Sequence, residues 1–146
     1  MTRFTLIYFL IIFQNAIAQK MDTNQTIELN VTDIKQIKGQ LLISLHNKDG
    51  FPDQEKKSAL NTKVKVNNAN MKITLKVPKS GFYAISLVHD ENENNQLDKN
   101  YLGIPKEGYG FSNNPSARFG APSFKESQFE VKDNEVKKLV IKIIYW

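Results

Sequence analysis

Apolar and polar side chains alternate along this chain wherever its pattern is regular, and no window of helical length carries a sustained i, i+3, i+4 apolar face. Ile73, Leu75 and Val77 alternate with Thr74 and Lys76; Tyr83, Ile85 and Leu87 alternate with Ala84, Ser86 and Val88. A period of two belongs to a strand that turns one face to water and one to a core. The pattern predicts strands over residues 26–31, 39–46, 62–66, 70–77, 81–89, 127–132 and 136–145, and one short helical turn over 54–60. Turn formers separate them, among them Asn67-Asn68, Pro78-Lys79-Ser80-Gly81 and Lys132-Asp133-Asn134. The expected fold class is therefore all-β: an antiparallel β-sandwich of about seven strands, two sheets packed face to face.

One stretch, 98–125, breaks the alternation. It is long, aperiodic and dense in Gly, Pro, Asn and aromatic residues. Tyr101, Leu102, Ile104, Tyr109, Phe111, Phe119 and Phe124 give it enough apolar surface to pack, so it is expected to be an ordered loop over the sandwich and not a disordered tail. Gly108, Gly110 and Gly120 permit sharp turns there, and Pro105, Pro115 and Pro122 fix others. Tyr101, Tyr109, Phe111 and Phe119 are the candidate ligand surface, a platform for a glycan or a peptide; the alternative is that the same rings fill core.

The start of the chain changes the picture of where it works. Arg3, the apolar run from Phe4 to Phe13 and the small-x-small ending Ala16-Ile17-Ala18 before Gln19 form a secretory signal peptide, residues 1–18. The run falls short of the roughly 20 residues that span a bilayer, so cleavage near Ala18-Gln19 and no stable membrane anchor are expected. Residues 19–146 then make a single domain, periplasmic or secreted. The absence of cysteine excludes a disulfide scaffold, thiol catalysis and Cys-based zinc sites. A net charge of +5 is modest, and lysines at alternate strand positions read as the solvated face of a sheet; no nucleic-acid partner is expected.

The candidate chemistry lies in the run Asp90-Glu91-Asn92-Glu93-Asn94-Asn95-Gln96-Leu97-Asp98. Ca²⁺ takes six to eight oxygen ligands, and loops with donors at positions 1, 3, 5, 7 and 9 supply them. Those positions are Asp90, Asn92, Asn94, Gln96 (through its backbone carbonyl) and Asp98. Position 6 is Asn95 in place of Gly, and position 12 is Tyr101 in place of a bidentate Glu, so a full EF-hand is not expected. Asn tolerates the left-handed conformation, and Glu107 is the candidate for the missing carboxylate from the neighbouring loop. The alternative is a polar hairpin loop, rich in Asn because Asn caps its own turns. A catalytic reading would need His89 to work with Asp90 or Glu107, or with His46 around a transition metal; strand neighbours such as His89 and Asp90 point to opposite faces, so no enzyme is expected.

The segment His89 to Asp98, followed by Leu102-Gly103-Ile104-Pro105-Lys106-Glu107-Gly108-Tyr109-Gly110-Phe111-Ser112-Asn113-Asn114, resembles the signature of domain of unknown function family 2141. Gly81-Phe82-Tyr83-Ala84 and Ala121-Pro122-Ser123-Phe124 extend the likeness. The resemblance implies a small exported bacterial protein with a transthyretin-like or carboxypeptidase-regulatory-like sandwich and no assigned activity. The family's loop usually reads Asn-Gly-Asn, where this chain has Glu93-Asn94-Asn95.

Overall fold

Each predicted strand forms around its buried alternate residues. The protein, seen in a computed structural model, is described over residues 24–52, 57–117 and 120–146. The expected signal peptide (1–18), Phe119 and residues 54–56 of the expected helical turn lie outside the described residues. The rest of that turn is mostly strand: β3 begins at Ser58.

The strands are β1 (Thr26–Thr32), β2 (Gln40–His46), β3 (Ser58–Lys65), β4 (Met71–Lys76), β5 (Gly81–Asp90), β6 (Gly108–Phe111), β7 (Phe129–Val131) and β8 (Val136–Lys142). They build two sheets, β4-β1-β8 and β3-β2-β5-β6, with β7 also pairing with β5. Every pairing is antiparallel except β1 with β8, which runs parallel with Leu29 opposite Leu139. The core lies between the sheets. Ile27, Leu29 and Val31 of β1 meet Leu41, Ile43 and Leu45 of β2 and Tyr83, Ile85 and Leu87 of β5 there, all essentially without solvent contact. Each such aliphatic side chain contributes about 1.5–3 kcal/mol by leaving water, which is why the period-two pattern dictates the architecture.

The aperiodic stretch is ordered over its described residues, and two elements, one inside it and one at its end, are regular structure where an ordered loop alone is expected. Gly108 to Phe111 is β6, antiparallel to β5 with Val88 opposite Tyr109. Its alternation is Gly-Tyr-Gly-Phe, and the glycines that read as turn formers are its inward positions. A Cβ on Gly108 would lie 2.5 Å from Ile143 Cγ2 and 2.6 Å from Tyr145 Cε1, and one on Gly110 would lie 2.6 Å from Ile141 Cγ2. Only glycine lets β6 approach the chain after β8, where Tyr109 and Ile144 exchange backbone hydrogen bonds of 3.0 and 2.8 Å. This contact links the two sheets along one edge.

The second element is a single helical turn, Phe124–Ser127, in front of β7. A capping box starts it: the Ser123 hydroxyl accepts from the Glu126 amide, and the Glu126 carboxylate accepts from the Ser123 amide at 2.8 Å. The Ser123 hydroxyl, then its backbone amide, hold the Glu126 carboxyl below its ordinary range.

The five-stranded sheet is buried on its inward face and, along much of β2 and part of β5, on its outward face too, while Phe82 of β5 and Asn61, Lys63 and Lys65 of β3 stay exposed. On β2 and β5 the outward side chains Leu42, Ser44, His46, Ala84 and Asp90 are as hidden as the inward ones. What covers them is the acidic loop, the segment after it, and Phe51 and Phe124, whose rings pack edge-on at 6.0 Å.

Candidate functional site

Asp90 ends β5 on the outward face, opposite Gln40 of β2, and no part of it reaches solvent. Its carboxylate is fully engaged. Oδ1 accepts from the Asn94 amide at 3.1 Å; Oδ2 accepts from the Asn95 amide and from Gln40 Nε2, both at 2.8 Å. Asn92 and Asn94 then repeat one device: Asn92 Oδ1 accepts from the Asn94 amide and Asn94 Oδ1 from the Gln96 amide, each at 3.1 Å. Side chains bonding amides two residues on curl the chain without help from a ladder. Two residues take the left-handed conformation to close the curl, Glu93 at φ 60° and Asn95 at φ 66°. Asn95 stands where a Gly would otherwise serve, as expected. Its Oδ1 is clamped by Lys63 Nζ at 2.6 Å and Gln40 Nε2 at 3.1 Å.

Glu93 is the costly residue. A left-handed backbone costs a non-glycine residue about 1–2 kcal/mol, and among the described residues Glu93 is held only through its carbonyl, which accepts weakly from Asn95 Nδ2 at 3.5 Å. Glu93→Gly is therefore expected to leave stability unchanged or raise it by up to about 1 kcal/mol, read as a higher midpoint in urea unfolding. A loss above that size would show that the Glu93 side chain holds the loop.

Glu107 arrives from just before β6 and bridges the two ends of the loop. Its Oε1 accepts from the Glu91 amide at 2.9 Å and its Oε2 from the Asp98 amide at 3.0 Å, with the side chain nearly buried. Asp98 in turn accepts from Asn92 Nδ2 at 2.7 Å and Asn94 Nδ2 at 3.0 Å. Of the six residues expected to hold a cation, Asp90, Asn92, Asn94, Gln96, Asp98 and Glu107, the structure brings all into one hydrogen-bonded turn. Among the described residues no three acidic or histidine side chains stand close enough to hold a metal alone. A cation here would draw on the neutral amide and backbone oxygens as well.

The two histidines do not converge. His89 faces the core; its Nε2 meets the Lys38 carbonyl at 2.9 Å and its Nδ1 the Tyr145 hydroxyl at 2.7 Å. A carbonyl can only accept, so Nε2 carries a proton. Burial, reinforced by the Glu91 charge and opposed by the Lys35 amide, raises the Tyr145 pKa and keeps that phenol protonated. His46 lies on the opposite face, 2.8 Å from Ser86 Oγ and edge-on to Phe51.

The aromatic candidates separate. Tyr101 is 95% exposed, whereas Tyr109 and Phe111 are nearly buried on the outward side of β6. They floor a cleft of 460 Å³ walled by Leu97, Ile104, Pro105, Ala117 and Trp146, with Lys99 also in its lining. Trp146 Nε1 donates to the Tyr109 hydroxyl at 2.8 Å, fixing the indole as a wall while 62% of the residue stays exposed. Sequence reasoning missed Trp146, which lies just past the predicted strand 136–145, and missed Gln40 and Lys63, whose link to the loop arises from strand pairing. A size of 300–1,000 Å³ with apolar and aromatic lining is typical of small-ligand sites.

A family model described as "Uncharacterized protein conserved in bacteria (DUF2141)" matches residues 29–138, a span that includes the acidic loop and β6. No curated protein and no solved structure matches the chain.

Proposed function

This chain belongs to the DUF2141 family, and from that premise, which brings no assigned activity, we propose that it is an exported binding module with a Ca²⁺-holding acidic loop. The observation that carries this reading is Glu107, a nearly buried carboxylate that gathers the Glu91 and Asp98 amides and so ties the loop to β6. Asp90, Asp98 and Glu107 supply the charge, Asn92 and Asn94 neutral oxygens, and Gln96 its backbone carbonyl. Leu97, inside the loop, is also a wall of the aromatic cleft, so whatever fixes the loop fixes the cleft. The partner the cleft suits is a glycan ring or an apolar side chain of an exported protein, laid on Tyr109 and Phe111 against Trp146.

Thermal unfolding tests this. With a dissociation constant in the extracellular class, about 10⁻⁴–10⁻³ M, Ca²⁺ at ten times that value stabilises by about 1.4 kcal/mol. The expected result is a rise of about 5 °C in Tm with Ca²⁺ and not Mg²⁺. Asp98→Ala should abolish it, because Asp98 donates charge yet is less buried than Asp90. Trp146, the sole tryptophan, should report the same titration by its fluorescence. An unchanged melting curve at millimolar Ca²⁺ would leave the loop a self-satisfied turn.

A further inference from the structure

The three-stranded sheet turns its outer face to solvent, and its register collects lysines that are scattered in sequence. On β1 the outward positions are Thr26, Glu28, Asn30 and Thr32. Antiparallel pairing sets Lys76, Thr74 and Lys72 of β4 beside the first three, and parallel pairing sets Val136, Lys138, Val140 and Lys142 of β8 beside all four. All seven of those flanking residues are exposed. Four lysines thus border one face, their backbone positions about 13 Å apart along each strand and the two outer strands about 10 Å apart, with Glu28 the one carboxylate among the strand positions and Asp33 beside Thr32 at the face's end. Between them runs a polar groove of 400 Å³ lined by Lys72, Thr74, Asn30, Glu28 and Lys138.

We propose that this face is a second binding surface, which takes an acidic polysaccharide along the groove between Lys72 and Lys138. The chemistry selects that class. Lysines are compact point charges suited to single carboxylates or sulfates, whereas the planar fork that matches phosphate and base edges two bonds at a time belongs to Arg, and the strand positions of this face include no Arg among the described residues. Single-stranded nucleic acid needs aromatic rings on which bases stack, and the face has none. An interfacial membrane anchor presents large apolar tips; here the only apolar groups are Val136 and Val140 at one edge, and the centre is a groove. The Asn30 amide and Thr74 hydroxyl in the groove match sugar hydroxyls. The Glu28–Lys138 ion pair, at 3.8 Å and widely exposed, is too weak to hold Lys138 back from a ligand. This surface is independent of the acidic loop, and its test needs no Ca²⁺.

Binding to immobilised polygalacturonate, with neutral dextran as control, decides it. The unmodified protein should bind the acidic polymer only, and its affinity should fall about 60–250-fold between 50 and 200 mM salt, as release of three to four counterions demands. The variant Lys72→Gln/Lys76→Gln/Lys138→Gln/Lys142→Gln should lose at least tenfold. A variant with the same net charge, Lys48→Gln/Lys57→Gln/Lys106→Gln/Lys125→Gln, should stay within threefold. Equal losses in the two variants, no binding at all, or tighter lysine-dependent binding to phosphatidylglycerol vesicles would each overturn the proposal. Glu28→Gln covers the case in which the quadruple variant does not fold: it should tighten binding two- to threefold, and an unchanged or weaker affinity would count against the groove.

Discussion

Asp90→Ala is expected to destabilise the protein by about 3–5 kcal/mol in urea unfolding, a large share of the total stability of a domain this size. The carboxylate is wholly buried and takes three hydrogen bonds, from the amides of Asn94 and Asn95 and from Gln40 Nε2. Truncation removes a charged acceptor and strands three donors under a covering loop, and stranded donors cost more than a bond contributes. Asp90→Asn separates the charge from the shape. It keeps one acceptor oxygen but presents an NH₂ group to the other donors, so about half the loss should remain. A change below about 1 kcal/mol for Asp90→Ala would mean that water replaces the carboxylate and that the loop is not sealed against the sheet.

What the sequence made legible follows from how local each signal is. Period two sufficed for seven strands, because Ile73, Leu75, Val77 and their counterparts bury one face whatever their partner is. It could not show that β1 and β8 run parallel, since pairing direction depends on where the chain returns and not on any residue's own preference. It also hid β6, because alternation whose inward members are Gly108 and Gly110 looks like turn chemistry until Ile141, Ile143 and Tyr145 are seen pressed against them. The acidic loop was legible in its spacing, and Glu107 was found as its distant partner because a loop short of one carboxylate prompts a search for another. The Gln40 and Lys63 clamps on Asn95 were not, since they belong to strands far away in sequence that the sheet alone brings near. The lysines of β4 and β8 carried the plainest signal, solvated sheet positions, yet their gathering on one face needed both registers.

Gly39→Ala should be the most damaging single methyl group in the molecule. Gly39 precedes β2 in the left-handed region, at φ 65°, where an alanine backbone costs about 1–2 kcal/mol on its own. The larger part is overlap. A Cβ there would strike the Asp90 carbonyl oxygen and sit 2.7 Å from Glu91 Cα, and these are backbone atoms that cannot swing aside as a flexible side chain would. Neither side can retreat freely. The Gly39 carbonyl accepts from the Val66 amide at 3.0 Å at the end of β3, while Asp90 is pinned by Gln40 and the loop. Together the two terms put the expected loss at about 4 kcal/mol or more, at the limit of what most substitutions do. Gly103→Ala isolates the first term, because Gly103 has φ 78° with nothing within 4 Å of the added carbon; it should cost about 1–2 kcal/mol. If both variants lose the same amount, backbone conformation alone governs both sites and the close seat of the acidic loop on β2 contributes nothing. If Gly39→Ala loses far more, that seat is what holds the loop, and the loop's end of the sheet is organised from the β2 side before any cation or ligand reaches it.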